Sequence, residues 1–202
     1  YEGAWLGNYG VISNGTRGVL AGNYGPATNQ IQYITIATTG SVGDIGDLTI
    51  SRTDTAGCSG ANDRGIVCGN YPSSNVIEYF SIASANNAAD FGDYSDSSWG
   101  GAGSDNKTRG WFCGNRPSNQ NRMEYITTGT LGNSTDAGDL TQSFQYPGSF
   151  ASDEGRGVIG ANFDAPTKSI NYWTIMSTSN AADFGDLTSD NVKYATAACS
   201  GT

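Results

Sequence analysis

Short apolar runs recur along this chain between stretches of polar residues and glycine, and one run is stronger than the rest. It reads Gln30-Ile-Gln-Tyr33-Ile-Thr-Ile36, then Val76-Ile-Glu-Tyr79-Phe-Ser-Ile82, Arg122-Met-Glu-Tyr125-Ile-Thr and Ser169-Ile-Asn-Tyr172-Trp-Thr-Ile175. The tyrosine falls at the same place each time. Apolar residues occupy both alternations, Ile31 and Tyr33 on one, Ile34 and Ile36 on the other. That pattern predicts a strand covered on both faces by packed neighbours. A shorter run precedes it: Arg-Gly, then Val19-Leu20, Ile66-Val67, Trp111-Phe112 or Val158-Ile159, closed by a small residue and Asn23, Asn70, Asn115 or Asn162. This predicts a strand ending in a turn. Another strand follows an Asp-x-Gly-Asp turn and is clearest at Leu48-Thr-Ile-Ser. A weaker one is predicted at Ala56–Gly60, Gly101–Ser104, Ser149–Ser152 and Ala195–Gly201. No stretch sustains a 3.6-residue periodicity, so no helix is predicted.

The first aspartates of the Asp-x-Gly-Asp cores stand at 44, 90, 136 and 183, spaced 46, 46 and 47 residues apart. A fixed period of this length marks a repeat architecture. The repeats run 17–63, 64–108, 109–155 and 156–202 within a single domain, 1–202. Residues 1–16 form a partial repeat, because Glu2-Gly-Ala-Trp-Leu-Gly-Asn8-Tyr9-Gly10 aligns without gaps to Arg17-Gly-Val-Leu-Ala-Gly-Asn23-Tyr24-Gly25. Four short antiparallel strands in about 46 residues are the pattern of a propeller blade. The expected fold is therefore all-β: a small β-propeller of about four four-stranded blades. Five copies of the Arg-Gly-type strand against four of the tyrosine strand leave its closure open.

The order Arg-Gly-apolar, Gly-Asn, apolar-x-Tyr and acidic turn resembles a shortened kelch-type blade. The units resemble still more the short kelch-like repeats of marine bacteriophage structural and tail-fibre-like proteins. The carriers are Arg17-Gly-Val, Tyr33-Ile-Thr-Ile-Ala-Thr-Thr-Gly40, Asn180-Ala-Ala-Asp-Phe-Gly-Asp-Leu-Thr188 and Ala197-Ala-Cys-Ser200. Two departures stand out: the kelch double glycine is Gly-Asn in three units and Gly-Ala-Asn in the fourth, and no tryptophan recurs at a fixed position. The resemblance implies a virion-surface or extracellular location, other virion proteins or copies of the chain itself as partners, and host-surface attachment.

Composition narrows the picture further. Glycine makes up 29 of 202 residues and charged residues only 14%, as suits short strands and many turns. A net charge of −9 argues against nucleic-acid binding, which needs a basic stripe. No segment is apolar enough to predict membrane insertion. The chain begins at Tyr1 and reads as a processed product, an excerpt or the ordered part of something longer. Asn14, Asn106 and Asn133 match the glycosylation pattern, as chance allows in so Asn- and Thr-rich a chain. Cys58 and Cys199 share one repeat position and Cys68 and Cys113 another, where other copies carry Ala21 and Gly160. These positions call for small buried side chains, and Cys113 and Cys199 are expected to be free thiols. Cys58 and Cys68 are close enough in the chain to meet across a hairpin, and their pairing stays open.

The chain has no histidine, so no Ser-His or Cys-His pair can form. The repeated carboxylates Asp44, Asp47, Asp90, Asp93, Asp136, Asp139, Asp183 and Asp186 are read first as turn formers. Their alternative role is calcium, for which two carboxylates per turn are too few without other oxygens. Arg17, Arg64, Arg109 and Arg156 are expected to pair with these acids. Tyr9, Tyr24, Tyr71 and Phe163, with Arg116, follow the strand-ending asparagines. Aromatic faces beside Asn23, Asn70, Asn115 and Asn162 suit sugar binding. No cofactor is expected. The expected function is a non-enzymatic structural or adhesive module of a virus particle that recognises host-surface glycan. The alternatives are a free-standing carbohydrate-binding propeller and, behind it, a polysaccharide hydrolase using two of the carboxylates.

Overall fold

The computed structural model describes residues 12–22, 27–115, 117, 120–152, 155–162 and 167–189, with the backbone alone for Asn115, Gln120 and residues 149–152. Its strands fall, in chain order, into four antiparallel four-stranded sheets. The first sheet joins β1 (Ile12–Ser13), β2 (Arg17–Ala21), β3 (Thr28–Thr35) and β4 (Gly43–Arg52). The second joins β5 (Ala56–Gly60), β6 (Arg64–Cys68), β7 (Ser74–Ser81) and β8 (Ala89–Ser98). The third joins β9 (Ala102–Asp105), β10 (Arg109–Asn115), β11 (Gln120–Thr127) and β12 (Thr135–Asp139). The fourth joins β13 (Gly148–Ser152), β14 (Arg156–Gly160), β15 (Ser169–Thr174) and β16 (Ala182–Asp186). Among the described residues the helical content is one 3-10 turn, Ala61–Asp63. The all-β expectation and the four strands per unit hold.

The sheets are offset from the sequence repeat. The weak strand pairs with the Arg-Gly strand that follows it, Ala56 opposite Cys68 and Gly60 opposite Arg64, so it opens a sheet instead of closing one. The chain crosses to the next sheet at Thr53-Asp54-Thr55. There Asn70 Oδ1 accepts the Thr53 amide at 2.9 Å, and the Tyr71 amide donates to the Thr53 carbonyl at 3.2 Å. A left-handed backbone at Asp54 (φ 53°) turns the chain away from its own sheet. The crossings repeat and bond to one another: the Gly100 amide donates to the Asp54 carbonyl and the Tyr146 amide to the Gly100 carbonyl.

The Asp-x-Gly-Asp motif is a bulge inside the fourth strand of each sheet, which corrects its reading as a turn. Ile31 faces Gly46 while Gln32 faces Asp44, leaving Ile45 as the extra residue. Phe91, Ala137 and Phe184 are extra in the same way. Adding one residue to an alternating strand keeps the flanking aspartates outside while the middle side chain turns inward. All eight aspartates are exposed, and Ile45, Phe91 and Ala137 are buried. Phe184 is not, for reasons given below.

The core consists of slabs between consecutive sheets. Ile31, Ile45 and Leu48 of the first sheet meet Phe80, Ile82 and Ala88 of the second. Ile77, Phe91 and Tyr94 meet Phe112 and Ile126. Met123, Leu140 and Phe144 meet Ile159, Trp173 and Ile175. Burying each such large side chain contributes about 1.5–3 kcal/mol. Stability therefore accrues junction by junction, as in other repeat arrays.

Candidate functional site

Most of the recurring polar residues are committed to the junctions. Arg17 Nη1 donates to the Ile82 carbonyl of the next sheet at 2.7 Å, Arg64 to Thr128 at 2.7 Å and Arg109 to Ile175 at 3.3 Å. Each guanidinium also lies over the tyrosine of its own sheet, 4.0 Å from Tyr33, 4.7 Å from Tyr79, 4.2 Å from Tyr125 and, for Arg156, 5.1 Å from Tyr172. Stacking on the ring leaves the guanidinium edge free to reach a carbonyl. This corrects the expected pairing of these arginines with the bulge carboxylates. Among the described residues, the ion pairs are Arg52–Glu78, Arg122–Asp96 and Arg122–Glu124.

The asparagine before the bulge of the second, third and fourth sheets does the complementary work. Asn87 Oδ1 accepts the Asp47 amide at 3.0 Å, Asn133 that of Asp93 at 3.0 Å, and Asn180 that of Asp139 at 3.1 Å. The Asp136 and Asp183 carboxylates accept the amide two residues on, at Gly138 and Gly185, as an Asx turn does. Among the described residues no three acidic or thiol groups gather as cation ligands.

A buried polar position in the tyrosine strand was missed in the sequence. Glu78, Glu124 and Asn171 are equivalent and fully buried. Glu78 accepts the Thr49 amide at 2.7 Å and Arg52 Nε at 2.5 Å, and Arg52 Nη1 donates to the Gly69 carbonyl at 2.8 Å. Glu124 takes the Ser95 amide and hydroxyl together with the Ser134 hydroxyl. Asn171 takes the Thr141 amide and hydroxyl at 2.8 Å each. A polar residue flanked by apolar ones in a doubly covered strand was the signal available.

The thiols are inert packing. Cys58, Cys68 and Cys113 are free and buried, and Cys199 lies outside the described residues. Burial pushes the Cys58 thiol well up, with the Asp105 carboxylate and Cys68 adding to it. Burial raises Cys68 to about 12, opposed by Arg52, and likewise drives Cys113 upward.

Of the expected sugar-site residues, Asn23, Tyr24, Arg116 and Phe163 lie outside the described residues, as do Tyr9 and the Asn115 side chain. Asn162 is buried and spends both ends of its amide on the crossing, accepting from the Gln145 amide at 3.0 Å and donating to the Ser143 carbonyl at 2.9 Å. Asn70 serves the equivalent crossing at Thr53. The asparagines therefore shape the loops. Tyr71 is different: the residue is 54% exposed and its ring meets Trp99 edge to face at 5.5 Å. Trp99 occurs once, at the position held by Thr53 and Gln145 in the adjoining crossings. A small, largely apolar pocket lined by Ala56, Cys68, Tyr94, Trp99, Phe112 and Gly114 lies beside it. The buried Thr53 hydroxyl and Gln145 side-chain carbonyl have no partner among the described residues.

No family model matches the chain, and no curated protein does. Among solved structures it is similar to one described as "Structure of YjhT", with a TM-score of 0.72 at 5% identity, over 92% of this chain and 66% of that one. The chain thus spans about two thirds of that protein's length, and at this identity the likeness is one of fold.

Proposed function

We propose that the chain is a non-enzymatic structural and adhesive module of a virus particle, a fibre, spike or decoration, built as part of a kelch-like propeller. Its ligand is host-surface glycan, held at the end carrying Tyr71 and Trp99. The observation that carries the binding site is the division of labour just described. The recurring arginines, asparagines and bulges are spent on holding sheet to sheet, whereas the Tyr71–Trp99 pair occurs at one crossing among the described residues, with Tyr71 exposed and Trp99 half-buried. Two rings at right angles offer a face for sugar C–H groups and an edge to fix their orientation. The virion location rests on the sequence resemblance. Absence of histidine and the suppressed thiols favour a non-catalytic role.

A single shallow platform binds weakly, so adhesion comes from many copies on one particle. The test is glycan-array binding of a multimerised chain. Tyr71→Ala with Trp99→Ala should abolish the signal while thermal stability changes little. Binding that persists in the double variant refutes the site. Turnover of any bound polysaccharide would refute the non-catalytic reading.

A further inference from the structure

The row of sheets has two unlike ends, and each end presents half of the junction that recurs inside the molecule. At the first internal junction the later sheet contributes Val67, Phe80, Ile82 and Ala88, and at the second Phe112 and Ile126. Their equivalents in the first sheet are Leu20, Ile34, Ile36 and Val42, which no other sheet among the described residues covers and which are between 39% and 55% exposed. The earlier sheet contributes its bulge. Phe184, the fourth sheet's bulge residue, is 54% exposed. A Cβ on Gly46, Gly92 or Gly138 would collide with the next sheet's loop, whereas one on Gly185 would meet nothing within 4 Å.

We propose that these ends are two halves of one interface, and that a second copy of this chain seats its first sheet on the fourth sheet of the first. The polar pattern agrees with the apolar one. At internal junctions the amides of Asn86 and Ala88 donate to the carbonyls of Ile45 and Asp47, and Gly132 and Ser134 donate likewise to Phe91 and Asp93. Gly40 and Val42 hold the corresponding donor positions, and Phe184 and Asp186 the acceptors. Gln32 stands where Glu78 and Glu124 accept an amide from the preceding sheet, and Thr188 is the matching donor. The occupant must supply a row of apolar side chains at strand spacing beside a loop close enough to touch a glycine. This chain's own first sheet has that surface. The contact is head-to-tail, leaving each joined pair with one unused end of each kind.

The inference uses other residues than the glycan platform and stands or falls separately. Sedimentation equilibrium tests it. The 202-residue chain should show a mass that rises above 21.0 kDa with concentration. Phe184→Asp and Ile34→Asp, each altering an exposed residue, should each hold at the monomer mass with an unchanged melting curve. An equimolar mixture should regain a dimer and nothing larger, because one variant keeps its first-sheet face and the other its fourth-sheet bulge. Val42→Asp should behave as Ile34→Asp does and serves if that variant fails to fold. A wild type that stays monomeric overturns the proposal. So does association that survives in both single variants, or a mixture that fails to recover the dimer.

Discussion

Gly92→Ala and Gly185→Ala place the same methyl group in the same tetrapeptide, Asp-Phe-Gly-Asp, at the same bulge position of two sheets. Their backbones match as well, with φ of +148° and +140°. Both substitutions therefore carry a conformational cost of about 1–3 kcal/mol, because alanine resists this region. They differ in what lies opposite. At Gly92 the new methyl would stand 2.4 Å from the Gly132 carbonyl oxygen and 2.9 Å from the Asn133 nitrogen, so the loop of the third sheet must retreat. Retreat breaks the bond from the Gly132 amide to the Phe91 carbonyl, at 2.8 Å, and that from the Asp93 amide to Asn133 Oδ1, at 3.0 Å. Two such bonds add about 1–3 kcal/mol to the cost. Gly185 has no neighbour to displace. For a chain of this size each kcal/mol lowers Tm by about 2–4 °C, so Gly92→Ala should melt about 2–12 °C below Gly185→Ala. Thermal melts at protein concentrations low enough to keep the chain monomeric measure the difference. Equal melting temperatures would show that the bulge glycine answers only to its own backbone, and the junction argument would fail.

Three further outcomes follow from the same junctions. Arg52→Met should cost about 3–5 kcal/mol in urea unfolding, since it strands the buried Glu78 carboxylate. The double variant with Glu78→Leu should cost less than the two single changes summed, and simple additivity would deny the coupling. Asn133→Ala, which deprives the Asp93 amide of its acceptor, should cost about 1 kcal/mol, with hydrogen exchange at Asp93 as the local readout. The buried thiols stay protonated in the fold while the unfolded chain ionises them near their ordinary value of 9.0, so their contribution is whole below that pH. It declines as pH rises towards about 12, where Cys68 itself ionises. The urea midpoint should thus fall between about pH 8 and pH 10.5, and replacing Cys58, Cys68 and Cys113 with alanine should flatten that dependence.

Much of the architecture was legible because it rests on local pattern repeated. The tyrosine strands β3, β7, β11 and β15 and the Arg-Gly strands β2, β6, β10 and β14 fall where alternation and glycine punctuation put them. What misled was what pattern cannot carry. Asp-x-Gly-Asp has the composition of a turn, yet the ladder on both sides of it continues, and a two-against-one pairing leaves no separate mark in sequence. The repeat boundary at 63 groups the weak strand Ala56–Gly60 with the sheet before it, because adjacency along the chain says nothing about which side supplies its partner. The arginines invited a carboxylate, and the stacking tyrosine sixteen residues on (Arg17 to Tyr33) was visible only as a strand residue. Of the site, Tyr71 was legible as an aromatic after a strand. Trp99 was not, since its repeat partners Thr53 and Gln145 share no chemistry with it.

That last contrast bears on where function is written in a repeat protein. A residue present in every copy must satisfy every copy, and what the copies share is the need to bind a neighbour. Arg17, Arg64 and Arg109 reach carbonyls one sheet on, and Asn87, Asn133 and Asn180 hold amides one sheet back. Such positions are common to all units because the junction is common, and they speak of assembly. At the ends the same logic inverts. Leu20, Ile34, Ile36, Val42 and Phe184 obey the repeat although no neighbour in the chain's described residues uses them. Exposed apolar side chains of this kind invite association unless something covers them, which is why a partner for both ends is the economical reading. Residues that break the repeat carry the other kind of information. Trp99 replaces a small or polar residue at a crossing and is paired with an exposed ring, and neither feature helps a junction. Conformity thus marks where this chain holds itself together and, in the interface proposed above, where a copy would join it; departure, at Trp99, marks the proposed ligand site.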